Sequence, residues 1–305
     1  MYLQYFGFKD FPFSLTPNLR FFCNLEAYKE ALNVLLVSLH NGEGFVKITG
    51  EVGTGKTLLC LKLLDTLNND NYITAYISNP TLDPFNLQKA IAHELEISFS
   101  ENIDNHGLLN LLTNELIRIH QNNKRVIIIV DEAHVLSDEA LEGLRLLSNF
   151  ETETTKLVQI IMVGQPELDH RLKKPHWRQL KQRIVFSYCL PTLHDKEMLV
   201  YIGSRLTAAG YNEPLETLFS PKALKLLFKA SRGIPRLINI LCHKALLITY
   251  GYNKKKIDAA AIKMAITDTE SIYHHSNYLL ETGIILLSLL VLGIGIYFAL
   301  RIFVL

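Results

Sequence analysis

With 305 residues and a formal net charge of +1, the chain has room for two small domains and an ordinary core, and carries no global field that would draw it to nucleic acid or an acidic partner. Its four cysteines, Cys23, Cys60, Cys189 and Cys242, have neither metal-site nor disulfide spacing and read as reduced structural thiols of a cytosolic body. No charged, small-residue-terminated signal peptide opens the sequence, since Met1 to Phe22 is aromatic and punctuated by proline.

A helical pattern from Leu25 to His40 leads to the apolar strand Phe45-Val46-Lys47-Ile48-Thr49. That strand opens into Gly50-Glu51-Val52-Gly53-Thr54-Gly55-Lys56-Thr57, a complete phosphate-binding string. Its glycines let backbone N–H groups curl around a β-phosphate, Lys56 can reach the β- and γ-phosphates of ATP, and the Thr57 hydroxyl can ligate Mg²⁺. The helix expected from Leu58 to Leu67 turns its positive end toward the same anion. A strand in front and a helix behind are the context that separates such a loop from a chance match.

A second strand, Tyr72 to Ser78, stops at Asn79-Pro80, and helices are expected over Phe85 to Leu95 and Leu108 to Asn122. Val126-Ile127-Ile128-Ile129-Val130 then gives five β-branched residues in a row, as suits a strand buried on both faces of a parallel sheet. It ends in Asp131-Glu132-Ala133-His134. The carboxyl edge of an open α/β sheet is where ligands bind, so Asp131 is expected in the Mg²⁺ shell and Glu132 against the attacking water. An acidic pair after a strand also serves as an ordinary helix N-cap.

Leu141 to Phe150 is helical in pattern, Val158 to Gly164 a fourth strand and Ile184 to Tyr188 a fifth, a rhythm that predicts a five-stranded parallel sheet covered by helices. Between those last strands, Arg171, Lys173, Lys174, Arg178, Lys181 and Arg183 form a basic run with no carboxylate from His170 onward. Such a run suits a solvated helix face or a nucleic-acid patch. Trp177 is its one stacking aromatic, too few for single-strand binding. From Asp195 to Asp268 the pattern is helical only, broken at Gly210 and Gly233. Thr269 to Asn277 reads as a polar linker whose His274-His275 pair is solvated. Gly283 to Leu300, followed by Arg301 and Ile302 to Leu305, has no charge or amide side chain up to Leu300, and its roughly 18 to 23 residues can cross a bilayer core of about 30 Å. A buried C-terminal helix is the competing reading.

Taken together, the phosphate loop, Asp131-Glu132-Ala133-His134, Gly164-Gln165-Pro166-Glu167-Leu168 and Gly233-Ile234-Pro235-Arg236 resemble an AAA+ ATPase. The opening Phe6-Gly7-Phe8, Pro12-Phe13 and Thr16-Pro17 are similar to the ExeA-type secretion ATPases, and length with a single terminal span resembles the ATPases of MSHA-type pilus biogenesis. The resemblance implies an AAA+ α/β domain over 1–190, a small helical lid over 191–268, a linker over 269–282 and one transmembrane helix over 283–305. It implies that Gln165 senses the γ-phosphate or positions water with Glu132, although a polar residue at a strand end can equally be a cap. Arg236 would reach the γ-phosphate from the lid, and Arg178 or Arg183 would enter a neighbouring subunit's site. The partners implied are further copies of the chain and inner-membrane pilus or secretion proteins, with the ATPase domain cytoplasmic. ExeA continues into a periplasmic peptidoglycan-binding domain, and the sequence stops at Leu305, so no such binding is expected. A DNA-targeting ATPase of the transposition type shares the core but is soluble, and a helicase of the DEAH type would need a second RecA-like domain for which there is no room.

Overall fold

The structure, a computed structural model, describes residues 2–68, 71–151 and 155–269. They divide into two compact units. One comprises residues 14–208 with Ile234–Arg236, and the other residues 2–13, 209–233 and the described residues from 237 on. The sheet-bearing unit extends to Ala208, and residues 2–13 count with the helical one.

In chain order the elements are α1 (Tyr2–Phe6), α2 (Glu26–His40), β1 (Phe45–Gly50), α3 (Lys56–Leu67), β2 (Tyr72–Ile77), α4 (Pro84–Glu94), α5 (Asn105–Gln121), β3 (Arg125–Val130), α6 (Asp138–Leu147), β4 (Val158–Gly164), α7 (Pro166–Leu172), α8 (Arg178–Arg183) and β5 (Ile184–Leu190). They continue with α9 (Asp195–Ala208), α10 (Leu215–Leu218), α11 (Pro221–Ser231), α12 (Pro235–Gly251) and α13 (Ala259–Thr267). The five strands lie in the order β2-β3-β4-β1-β5, every neighbouring pair parallel. All five expected strands are present.

Burial explains the sequence pattern. In β3 every residue from Val126 to Val130 is buried, because helices cover both faces. Val126, Ile128 and Val130 join one apolar cluster with Leu87 and Ile91 of α4, Leu108 and Leu112 of α5, and Leu141 and Leu144 of α6. Alternation sends Ile127 and Ile129 to the other face, the side on which α2 meets β1 and β5 and α3 meets β1 and β2. The edge strand β5 departs from this rule. Its residues alternate between half-buried and exposed, with Val185 at 55% exposure. Side-chain caps begin the helices earlier than their apolar periodicity does: Asp104 caps α5 through the Gly107 N–H at 2.8 Å, and Ser137 caps α6 through Ala140 N–H at 3.0 Å.

The helical unit contains α10 to α13, where α11 packs on α13. The N-terminal aromatics belong to it, with the Phe8 ring tilted against Tyr211 at a centroid distance of 5.5 Å and Tyr2 donating to or accepting from His243 Nδ1 at 3.0 Å. Cys23, Cys60 and Cys242 are buried and Cys189 is exposed, and none of them is in a disulfide. The stretch read as a membrane span, and its linker beyond Thr269, lie outside the described residues. Among the described residues no helix is long and apolar enough to cross a membrane.

Candidate active site

The strand order brings the carboxyl ends of β1, β3 and β4 side by side, and each carries one part of the site. From β1 the chain enters the loop Gly50 to Thr57, whose two turning points, Gly53 at φ +83° and Gly55 at φ +95°, are left-handed. Space forbids side chains there as well. A Cβ on Gly53 would stand 2.5 Å from Arg236 Cβ, and one on Gly55 would stand 2.9 Å from the Tyr28 hydroxyl. That hydroxyl donates to Thr54 O at 2.6 Å, and the fully buried Thr54 donates through Oγ1 to Glu51 O at 2.8 Å. The loop is thereby held from below while Glu51 and Val52 stay exposed at its crest.

Lys56 opens α3 and is only 5% exposed. Its ammonium donates to Gly50 O at 2.8 Å and Glu51 O at 2.9 Å, folded onto the carbonyls of its own loop. Burial lowers its pKa, and the nearby Glu132 and Asp131 carboxylates work against that shift. Two neutral carbonyls are weaker partners for an ammonium than phosphate oxygens are, so this side chain is placed to transfer to an anion in the loop.

Asp131 ends β3 at 2% exposure. Its Oδ2 accepts from the Thr57 hydroxyl at 2.7 Å and from the Tyr76 hydroxyl at 3.2 Å, and its Oδ1 accepts from Glu132 N–H at 2.9 Å. Glu132 has φ +52°, an unusual conformation for a residue with a Cβ. It precedes the short 3-10 turn Ala133–Val135 and makes no capping bond to it. The cap of the next helix is Ser137, so neither acid is an ordinary helix cap. Gln165, at the end of β4, is likewise free of any side-chain cap to α7. Its Nε2 donates instead to Glu132 Oε2 at 3.3 Å. His134 Nδ1 lies 3.3 Å from the same oxygen without the alignment of a hydrogen bond.

Arg236, in the first turn of α12, is exposed, and its backbone N–H donates to Gly53 O at 3.1 Å. The two arginines expected at a subunit boundary part company. Arg178 is exposed, whereas Arg183 Nη1 donates to Ser148 Oγ at 2.7 Å and Arg145 O at 3.2 Å, which ties it to the C-terminal end of α6. Arg171 is committed too. It donates to His134 O at 3.0 Å, Leu136 O at 2.6 Å and Asp138 Oδ1 at 2.5 Å. Trp177 is 4% exposed within the apolar cluster. The basic run is therefore a discontinuous surface, and its aromatic is spent on packing.

Sequence reading missed Tyr28, Tyr76 and Arg171, and also Lys47, which pairs with Asp169 of α7 from the middle of β1. No motif signals them. Their partners are 26, 55, 33 to 37 and 122 residues away in sequence. The donor set fits Mg²⁺: a hydroxyl and a carboxylate already 2.7 Å apart beside a loop shaped for phosphate are hard oxygen ligands of the kind that ion takes together with nucleotide oxygens.

Residues 39–172 match the family model described as the AAA domain. Over 272 residues the chain is 40% identical to general secretion pathway protein A of Aeromonas hydrophila, a match that covers 89% of this chain and 49% of that protein. The chain thus spans about half the length of the curated relative it matches. Among solved structures it is similar to the ADP form of the Aeropyrum pernix ORC2 protein, with a TM-score of 0.63 and 16% identity over 85% of this chain and 73% of that one. It is also similar to Cdc6p from Pyrobaculum aerophilum, at 0.62 and 18% over 81% and 67%. At these identities the two structures bear on the fold alone. Over residues 39–172 the family model agrees with the five-stranded parallel sheet and its loop: the fold is an α/β P-loop AAA domain.

Gly53→Ala should weaken nucleotide affinity by at least about tenfold, since it adds a clash to backbone strain of about 1–3 kcal/mol. Gly42→Ala is its control, because Gly42 also has a positive φ, +77°, but nothing within 4 Å of an added Cβ. Titration of both variants with ATP should find the loss in the first and wild-type affinity in the second.

Proposed function

We propose that this chain binds ATP with Mg²⁺ in the loop Gly50 to Thr57 and hydrolyses it to ADP and phosphate with Glu132 as the base. The observation that carries the reading is the hydrogen bond from Thr57 to Asp131, with Glu132 and Gln165 bonded to each other beside it. Lys56 and the loop amides hold the phosphates. Thr57 and Asp131 hold Mg²⁺, which when bound neutralises charge on the β- and γ-phosphoryl oxygens. Glu132 takes a proton from the attacking water, Gln165 fixes the carboxylate and the water in line, and Arg236 faces the loop as the second sensor. Glu132→Gln should retain ATP and lose at least about 100-fold in turnover, while Lys56→Ala should lose affinity. Both are read by nucleotide titration alongside phosphate release, and a wild-type rate in Glu132→Gln would reject it as the base.

We further propose that the active form is a homo-oligomer in which Arg178 completes the neighbour's site. Its exposure supports this, and the bonds of Arg183 to α6 favour a structural role for that residue. Mixing Lys56→Ala chains with Arg178→Ala chains should restore part of the ATPase activity, because each supplies what the other lacks. Arg183→Ala should instead lower the unfolding midpoint. The absence of rescue between folded, associating chains would mean that the site is complete within one subunit.

The 40% identity to a general secretion pathway protein supports work in secretion; assembly of an MSHA-type pilus is our extension of that reading, resting on the sequence resemblance alone. The apolar sequence of residues 283–305 supports a membrane anchor with the ATPase in the cytoplasm. Full-length protein should stay with membranes through a carbonate wash, and a chain ending at Asn277 should be released while still binding ATP. Recovery of the full chain in the wash would remove the anchor from this reading.

A further inference from the structure

Asp131 has a third side-chain or backbone partner that the phosphate-loop chemistry does not require. Tyr76, on β2, is directly paired with Ile129 of β3, and its hydroxyl donates to Asp131 Oδ2 across 3.2 Å. Alternation along β2 sends Ala75 and Ile77 into the apolar cluster under α4 and α5, so Tyr76 faces the opposite side, where α3 contacts the strand. There the ring is only half-buried. Packing alone would be met by phenylalanine, and the hydroxyl is what touches the site.

We propose that Tyr76 is a positioning residue for the divalent cation, fixing the plane of the Asp131 carboxylate through Oδ2. This rests on the reading of Thr57 and Asp131 as the Mg²⁺ ligands. The carboxylate has one anchor on Oδ1, the Glu132 N–H, and two on Oδ2, Thr57 and Tyr76. A Thr57 hydroxyl that would ligate the cation can still donate its proton to Oδ2, but its position would then depend on the ion, so Tyr76 is the Oδ2 donor independent of it. Without Tyr76 the carboxylate keeps only the Glu132 N–H on Oδ1 and that ion-dependent donor on Oδ2, and is freer to turn about its Cβ–Cγ bond. Partners behind metal ligands orient them in this way, and losing one costs about 10- to 100-fold in metal affinity. Burial first, then the Asp131 charge, pushes the Tyr76 pKa upward, so the phenol remains a donor throughout the neutral range.

The test is Mg²⁺ titration of binding of the methylanthraniloyl derivative of ATP to the full chain, with Tyr76→Phe, Asp131→Asn and the double variant. Tyr76→Phe should raise the Mg²⁺ midpoint by about tenfold or more, while affinity for the same nucleotide in EDTA and the circular dichroism spectrum stay at wild-type values. In the Asp131→Asn background, Tyr76→Phe should add nothing, because the group it orients is gone. A Tyr76→Phe midpoint within about twofold of wild type, with Asp131→Asn still shifted, overturns the role of Tyr76 and leaves the site reading in place; a shift of that size lies below the range expected for a lost orienting partner. An additive effect in the double variant overturns it equally. If wild-type protein binds the nucleotide with no dependence on Mg²⁺, the site reading fails and the role of Tyr76 falls with it.

Discussion

One hydrogen bond joins two parts of the chain that are 74 residues apart: Thr57, in the first turn after the phosphate loop, donates to Asp131 at the end of β3. These parts are not on adjacent strands. β4 lies between β1 and β3, so the contact exists only because all three strands end at the same edge and α3 starts above that edge. Parallel pairing with both faces covered is what produces such an edge. The apolar burial of β3 and β4 is thus a condition of the chemistry as much as of stability, since a slip in register would move Asp131 away from Thr57.

The polar groups at that edge are held by bonds with little slack. Glu132 sits at φ +52°, a conformation costing on the order of 1–3 kcal/mol. The turn that follows is clamped by Arg171 through His134 O, Leu136 O and Asp138. Hydrogen bonds from a charged donor contribute about 1.5–3 kcal/mol each, enough to offset the strain. Arg171 lies on α7, the helix that starts directly after Gln165 and is joined to β1 by the Lys47–Asp169 pair. One short helix therefore ties the residue that touches Glu132 to the strand that carries the phosphate loop, and displacement of Gln165 by a bound γ-phosphate would be felt in both.

Much of this was legible in the sequence where local chemistry dictates structure. The β-branched run Val126 to Val130 suits a strand buried on both faces, which β3 is, and the glycine spacing from 50 to 55 predicts the turn between β1 and α3, where Gly53 and Gly55 are left-handed. Helix starts were less legible. Asp104 and Ser137 begin α5 and α6 three residues ahead of the apolar residues that mark their periodicity, because a cap acts on backbone N–H groups and leaves no apolar signature. The long-range partners were not legible at all. Tyr28, Tyr76 and Lys47 look like ordinary members of a helix or strand until the fold brings Thr54, Asp131 and Asp169 to them. For the same reason the basic run read as one surface, although Arg171 and Arg183 turn inward to backbone carbonyls and a helix end while Arg178 stays outside.

The folded-back ammonium of Lys56 gives the most direct test. Gly50 O and Glu51 O are neutral acceptors for that ammonium, so a crystal structure of the chain with Mg²⁺ and a non-hydrolysable ATP analogue should show Nζ transferred from those carbonyls to the β- and γ-phosphate oxygens. In the same structure the ion should lie on the Thr57 hydroxyl next to Asp131, with Glu132 and Gln165 facing the γ-phosphate. An analogue bound elsewhere, with Lys56 still on its own loop, would contradict the assignment of this edge of the sheet as the site of ATP hydrolysis.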